Sequence, residues 1–303
     1  MVLADRNLKG AEEAAKEFNV SGQVAIAVQI DVADWESQKK GFEAGIQAFG
    51  RIDYVFPVAG ITERPWIPFE PSSNGFVKPD LAVLDVNATG ALYTCALAVQ
   101  HFQTQKPNKY NFRGKGKSIH PGPFSSMPTI ETAADLESCH SDYSSLRLWL
   151  LLHPQFTYLH SFQTVSLSLW PPYDLSIRSS YPDSSSAMVG FVRTYGRLST
   201  QEQITINAVC PTIVKTGISV GEFYDKAEAK GLLVSVESLI EGLESLLGDC
   251  PTSGEAFEAL PGKGGFRIKE RTEYTNDGCR ESVEMTEMRT YNAFKALREK
   301  ARQ

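Results

Sequence analysis

The sequence predicts an α/β fold, a doubly wound parallel sheet with helices packed on it. Three observations carry that prediction. Short β-branched runs alternate with helical patterns, the order that parallel βαβ units produce. Several of those runs stop at an acidic residue or a glycine turn, at Asp5, Asp31 and Gly60. The chain has 303 residues, 42% hydrophobic and 22% charged, enough for one sizeable buried core.

The elements follow in order. "MVLAD" opens as a strand ending at Asp5, and "LKGAEEAAKEF" is rich in helix formers. "QVAIAVQID" is a strand ending at Asp31. "ESQKKGFEAGIQAFG" places Phe42, Ile46 and Phe49 at helical spacing. "RIDYVFPVAG" reads as a strand ending in a turn at Gly60. After a Pro-containing loop (61–79), "DLAVLDVNATGALYTCALAVQHF" reads as one long, mostly buried helix. "MVGFVRTYG" lies within a further helix, at 182–198, and "QITINAVCP" is a strand. "VESLIEGLESLL" is a helix with Leu239, Ile240, Leu243, Leu246 and Leu247 on a core face, and "GEAFEAL" is a last strand.

Residues 127–180 break the pattern. Between Gly122 and Gly190 there is no glycine, and between Ala134 and Ala187 no alanine. No period of two or of 3.6 persists there, and loops of such length are uncommon inside a compact domain. The stretch is read as an irregular insertion. The domain reading is therefore 1–265 as one domain carrying that insertion, with 266–303 as a charged helical tail in which Met285 and Met288 pack.

Composition narrows the function. A net charge of −6 argues against a nucleic-acid surface, which needs clustered Lys and Arg. No leader pattern opens the chain and no apolar run approaches a membrane span, so neither secretion nor a membrane partner is expected. The five cysteines, at 95, 139, 210, 250 and 279, are too scattered for a zinc or disulfide framework. They are read as reduced thiols of a cytoplasmic protein. His140, His153 and His160 lack the pairing of a helical zinc site, and "EYTNDGCRESVEMTE" lacks the carboxylate alternation of a calcium loop. No metal is expected.

In an open parallel sheet, ligands bind beyond the carboxyl ends of the strands. Asp5, Asp31, Ala59–Gly60 and Pro211–Thr216 sit at such ends. A carboxylate ending a strand can accept from both hydroxyls of an adenosine ribose and repels a 2′-phosphate. Asp5 thus reads either as an NAD selector or as a cap of the next helix, and Arg6 beside it leaves NADP open. Asp31–Val32 offers a carboxylate and a backbone group to an adenine edge, or Asp31 caps the helix that follows.

Taken in order, these residues resemble the short-chain dehydrogenase/reductase family, in the branch similar to NAD-dependent 15-hydroxyprostaglandin dehydrogenase. The likeness covers 1–118 and 181–270. Asp5 falls where the family ends its second strand, Asp31–Val32 where it contacts adenine, and "VAG" (58–60) where it has Asn-Asn-Ala-Gly. Asn87 in "DVNATG" matches the helix asparagine of the catalytic tetrad, Ser126 of the Ser125–Ser126 pair the serine, and Tyr181 the tyrosine. "NAVCPTIVKT" matches the Asn-x-x-x-Pro-Gly segment, in which Pro211 lies and Thr216 is similar to the residue holding the nicotinamide carboxamide.

The resemblance implies a Rossmann-type single domain. It implies a homo-oligomer built through the helices at 80–103 and 182–198. It also implies interconversion of a secondary alcohol and a ketone on a small lipophilic substrate, with NAD preferred. Tyr181 would move the hydroxyl proton, Ser126 orient the substrate oxygen, and Asn87 hold a water. A tyrosine does this near neutrality when its pKa falls from about 10 towards 7, a shift of about 4 kcal/mol. A lysine four residues on supplies much of that shift in the family.

Three departures accompany the match. Ser185 stands where the lysine belongs. Tyr143 with Arg147 is the other Tyr–basic pair at that spacing, but arginine holds its proton too firmly for the role. The first strand and its Gly-rich, phosphate-cradling turn are missing from the pattern. The insertion also separates Ser126 from Tyr181. All three lie at segment boundaries, which predicts a missed first coding segment and retained non-coding sequence around 127–185. The alternative is a catalytically inactive relative that binds without turnover.

Overall fold

The computed structural model describes residues 1–61, 75–114, 181–215, 221–262, 264–269 and 274–301. It divides into two units, Met1–Ile268 and Lys269–Gln303.

The first unit begins with a βαβα run. Strand β1 (Val2–Asp5) leads into helix α1 (Leu8–Phe18), strand β2 (Ile26–Gln29) and helix α2 (Trp35–Phe49). The two strands pair in parallel, Val2 opposite Ile26 and Asp5 opposite Gln29. Helix α1 buries Gly10, Ala11, Ala14 and Ala15, small residues that let its backbone lie close to the strands. Helix α2 is equally tight: a Cβ on Gly41 would sit 2.1 Å from Ile30 Cδ1.

The long helix of the sequence reading is present as α3, Ala82–Thr104. Its first turns are not regular: Asp85–Gly90 forms a π-helical turn that passes into regular helix at Ala91. By length and composition α3 could cross a membrane, its best window having a mean hydropathy of 1.4. It is nevertheless packed within the fold, with Ala98, Val99 and Phe102 buried against Ile204.

Helix α4 (Tyr181–Ser199) precedes strands β3 (Ala208–Pro211) and β4 (Ile213–Val214). Helix α5 (Gly221–Ala229), strand β5 (Leu233–Val234) and helix α6 (Val236–Ser245) follow. Strands β6 (Ala256–Leu260) and β7 (Gly265–Ile268) close the unit. β3 and β6 pair in parallel and β6 with β7 antiparallel, while β4 and β5 form a parallel pair.

The β3–β6 pair shows why this half is doubly wound. Side chains of a strand alternate between faces. Ala208, Cys210 and Ala256 meet Val189 and Val192 of α4 in one cluster. Val209, Phe257 and Ala259 meet Leu239, Leu243 and Leu246 in another. A strand covered on both faces must be apolar throughout, and all four residues of β3 are buried. The predicted core face of α6 is confirmed, with Leu239, Ile240, Leu243, Leu246 and Leu247 all buried.

Three expectations are corrected. The run at 51–60 is not a strand of any sheet among the described residues. Its β-branched and aromatic composition favours extended chain, but pairing depends on a neighbour. A cleft of about 130 Å³ lies between it and β3, lined by Asp53, Phe56, Phe102, Asn207, Val209 and Leu243. Secondly, the described strands form separate patches, β1–β2, β3–β6–β7 and β4–β5, rather than one continuous ladder. Thirdly, Met285 and Met288 are 73% and 45% exposed in the second unit, a single described helix, α7 (Asp277–Ala301). They are not packed as expected.

Where β3 begins, Gly196 of α4 abuts backbone. A Cβ there would lie 2.7 Å from Gly254 Cα and from the Ile206 carbonyl oxygen. Neither backbone can retreat, because Gly254 N–H donates to that same Ile206 carbonyl at 2.8 Å. Gly196→Ala is expected to lower the unfolding free energy by about 1–3 kcal/mol. Gly190→Ala, in the same helix with nothing within 4 Å, is expected to raise it by about 0.5–1 kcal/mol. Urea denaturation of the two variants checks both signs.

Candidate active site

The strand ends predicted to form one crevice are joined by hydrogen bonds. Asp5 ends β1, and its backbone carbonyl accepts from Ile30 N–H at 3.0 Å, tying the exits of β1 and β2 together. One Asp5 carboxylate oxygen accepts from Asn7 N–H at 2.7 Å. The cap of α1 is Asn7, whose side chain accepts from Gly10 N–H at 3.2 Å, so the capping alternative for Asp5 is corrected. Asp5 shapes the turn before the helix and stays half-exposed at the strand end.

Asp31 behaves in the same way. Its carboxylate accepts from Ala33 N–H at 3.0 Å, and its own N–H donates to Ser37 Oγ at 2.9 Å. The cap of α2 is Asp34, which accepts from Glu36 N–H at 2.9 Å. Capping by Asp31 is therefore corrected too. A turn must bring the chain from strand to helix before a cap can act, and each predicted cap fell within that turn.

Val32 leads to a residue that sequence reasoning missed. Gln38 is 2% exposed, a buried amide on α2. Its Nε2 donates to the carbonyls of Val32 at 2.6 Å and Gly90 at 2.8 Å. Its Oε1 accepts from Thr94 Oγ1 at 2.7 Å. The contact is close as well as bonded: a Cβ on Gly90 would come 2.9 Å from the Val32 carbonyl oxygen. The π-helical turn that ends at Gly90 is thereby clamped to the loop after β2. Such turns are rare and recur at functional sites.

Asn87 sits within that turn and is 3% exposed. Its Oδ1 accepts from Ile61 N–H at 2.9 Å and its Nδ2 donates to the Ile61 carbonyl at 3.0 Å. The side chain thus pairs with one backbone residue as a neighbouring strand would. It fixes the chain directly after Ala59 and Gly60, both of them half-buried. That pairing uses one lone pair of Oδ1 and one of the two Nδ2 hydrogens.

Helix α4 packs against this turn. Tyr181 is its first residue and Ser185 lies one turn further along the same helix. Positions 181 and 185 thus share a helix face, as a tyrosine–lysine pair would require. Ser126 and Thr216 lie outside the described residues, as do Tyr143, Cys139, His140, His153 and His160. Pro211 ends β3, buried, with Thr212 N–H donating to Ala259 at 3.3 Å. Asn207, the first residue of the matched proline segment, is structural. Its side chain donates to the Thr252 carbonyl at 2.8 Å and accepts from Glu255 N–H at 3.2 Å.

The site thus collects Asp5, Asp31, Val32, Ala59, Gly60 and Asn87 around the exits of β1, β2 and the 51–60 run. Among the described residues no group of three or more His, Cys, Asp or Glu side chains could hold a metal ion. Burial pushes the Cys95 thiol up to about 12, which makes it a poor nucleophile. Cys95, Cys210, Cys250 and Cys279 are free thiols.

Parts of the chain are similar to known proteins. Residues 1–109 match the short chain dehydrogenase family. Short-chain dehydrogenase/reductase prx7 of Penicillium rubens is 22% identical over 278 residues, covering 84% of this chain and 81% of that protein. 3beta-hydroxysteroid dehydrogenase 1 of Eggerthella lenta is 33% identical over 98 residues, covering 32% of this chain and 36% of that one. The crystal structure of a Brucella melitensis 3-ketoacyl-(acyl-carrier-protein) reductase, complexed with NADH, superposes with a TM-score of 0.52. It is 16% identical and covers 86% of each chain.

The fold is Rossmann-like, an α/β arrangement shared with that solved structure. Over residues 1–109 the chain is similar to the short-chain dehydrogenase family.

The residues present fit part of a nicotinamide dinucleotide. Asp5 presents a half-exposed carboxylate at the end of β1, and the Asp31–Val32 turn is bonded to Ser37, Ala33 and Gln38 beyond β2. No Gly-rich turn for the diphosphate occurs among the described residues. Replacing Asn87 tests how far the site depends on one side chain. Asn87→Ala leaves the Ile61 N–H and carbonyl without their partner and is expected to lower stability by about 2 kcal/mol. Asn87→Asp should cost more, since a buried carboxylate would face the Ile61 carbonyl. Denaturation midpoints at neutral pH check that order.

Proposed function

We propose that the chain binds NAD at the exits of β1 and β2 and interconverts a secondary alcohol and a ketone on a small lipophilic substrate. The observation that carries this reading is the bonded chain Asp5–Ile30, Val32–Gln38–Gly90 and Asn87–Ile61. It ends at the turn on which the helix of Tyr181 packs. The steroid dehydrogenase relative supports a lipophilic substrate, and the NADH-bound reductase supports the cofactor. The fungal relative is compatible with a secondary-metabolite setting. Asp5 favours NAD, Arg6 leaves NADP as the alternative, and Asp5 also supports the branch similar to 15-hydroxyprostaglandin dehydrogenases. The scattered thiols support a cytoplasmic location, and the net charge of −6 supports a small-molecule partner over a nucleic acid.

When bound, the nicotinamide exchanges hydride with the substrate carbon. The chain must orient that carbon and move one proton at the substrate oxygen. Tyr181 is the group for the proton. In reduction a neutral phenol donates it, which needs no help from a lysine. In oxidation the phenol must first lose its own, and at pH 7 an unassisted tyrosine is phenolate in about one part in 1,000. Ser185 brings no charge to offset this. A second reading, a binding protein without turnover, is favoured by Ser185 alone.

The test titrates the protein with NADH and NADPH by fluorescence, then follows alcohol oxidation against pH. Ser185→Lys is expected to lower the pH at which oxidation reaches half its maximum by 1–2 units, about 10–100-fold in rate at pH 7. Tyr181→Phe should abolish that gain. Cofactor binding without turnover in either protein would favour the binding reading. Absence of cofactor binding in both would overturn the proposal.

A further inference from the structure

Helix α7 runs for 25 residues from Asp277 to Ala301, about 37 Å of continuous helix. Val283, Phe294 and Leu297 are 37%, 53% and 62% exposed. At 3.6 residues per turn they lie with Thr290 within about 40° of one line down the helix. Met285 and Met288 lie off this line. The hydroxyls near the row are already satisfied within the helix. Ser282, Thr286 and Thr290 donate to the carbonyls of Gly278, Ser282 and Thr286 at 2.8, 2.9 and 3.0 Å. Thr290 therefore brings a methyl group to the row without an unmet donor.

Charge along α7 is divided. The first half carries Asp277, Glu281, Glu284 and Glu287 against Arg280. The second half carries Arg289, Lys295, Arg298 and Lys300 against Glu299. The helix dipole favours such an order only within the first and last turns. Glu284, Glu287, Arg289 and Lys295 lie in interior turns, so the dipole does not account for them. A helix with an acidic first half and a basic second half complements itself when two copies run in opposite directions. Run in the same direction, they would set carboxylates against carboxylates.

We infer that the Val283–Thr290–Phe294–Leu297 row of α7 docks antiparallel on the same row of a second copy of this chain. With the two-fold axis at Thr290, Val283 of each copy meets Leu297 of the other, and the acidic first half of each helix runs along the basic second half of the other. The contact is isologous, as closed dimers require. It does not depend on the catalytic reading, and it uses neither of the helices through which the family resemblance implied assembly.

Disulfide trapping in the full-length protein, with Cys279→Ser removing the exposed thiol of α7, tests the inference. Thr290→Cys places thiols at the axis, whereas Asn276→Cys places them at opposite ends of an antiparallel pair. Under mild oxidation Thr290→Cys is expected to give linked dimers at least 10-fold more readily than Asn276→Cys. Adding Val283→Glu with Leu297→Glu, or high salt, should suppress them, while circular dichroism shows that the helix persists. Trapping no greater than in the Cys279→Ser background would overturn the inference. So would equal trapping at 276 and 290, the mark of a parallel pair, or trapping indifferent to the paired glutamates.

Discussion

The architecture around the strand ends depends on buried and half-buried side-chain amides that act as pieces of backbone. A carboxamide carries one acceptor and two donors in a plane, so it can satisfy an N–H and a C=O together, as an adjacent strand does. Asn87 does so for Ile61, and Asn207 bridges Thr252 and Glu255 at the start of β3. Asn19 accepts from Val24 and Ala25 and donates to Ala25 at the entry of β2. Gln105 donates to the carbonyls of Ile52 and Arg113. Each secures a segment that no ladder secures. An unpaired buried backbone group costs about 1–3 kcal/mol, so these amides matter most where pairing is lacking.

That dependence follows from how the sheet is divided. β3 and β6 are covered on both faces and paired along their whole length, and their helices pack by the ordinary alternation of strand side chains. Around 51–60 the chain is extended, but what positions it is Gln105 at Ile52, Asn87 at Ile61, and the packing of Ile52 and Val55 beneath α3. The cleft beside it is lined by side chains of Phe102 and Leu243 that a parallel sheet would ordinarily cover. Side-chain packing and amide bonds together hold the strand exits in family order even though the ladder is interrupted.

The same division explains what the sequence made legible. Helical periodicity and small-residue faces are local, and they revealed α1, α2, α3, α4 and α6 with their buried sides. Strand pairing is not local. "RIDYVFPVAG" has strand composition whether or not a neighbour is present, so the reading supplied a strand that is not among the described ladders. The short β4, β5 and β7 went unread, since two to four residues give periodicity too little length to register. Gln38 and Asn207 were invisible as structural groups because a buried amide and a surface amide are the same letter. A signal for Gln38 existed in hindsight: it is the polar residue that falls on the inner face of α2 between Trp35 and Phe42. Asp5 and Asp31 were recognised as strand-end carboxylates, while the capping task beside each fell to Asn7 and Asp34, two and three residues further on.

The candidate site separates two requirements that are usually met together. Position is supplied by hydrogen bonds and close packing: Gln38 clamps Gly90 to Val32, Asn87 clamps Ile61, and α4 sets positions 181 and 185 one turn apart. Charge is supplied by side-chain identity at single positions, and there Ser185 contributes none. A positioned but unassisted phenol remains a competent acid and becomes a poor base. On the proposed reading this favours reduction of a ketone over oxidation of an alcohol, because proton donation needs only correct placement whereas proton removal needs a nearby cation as well.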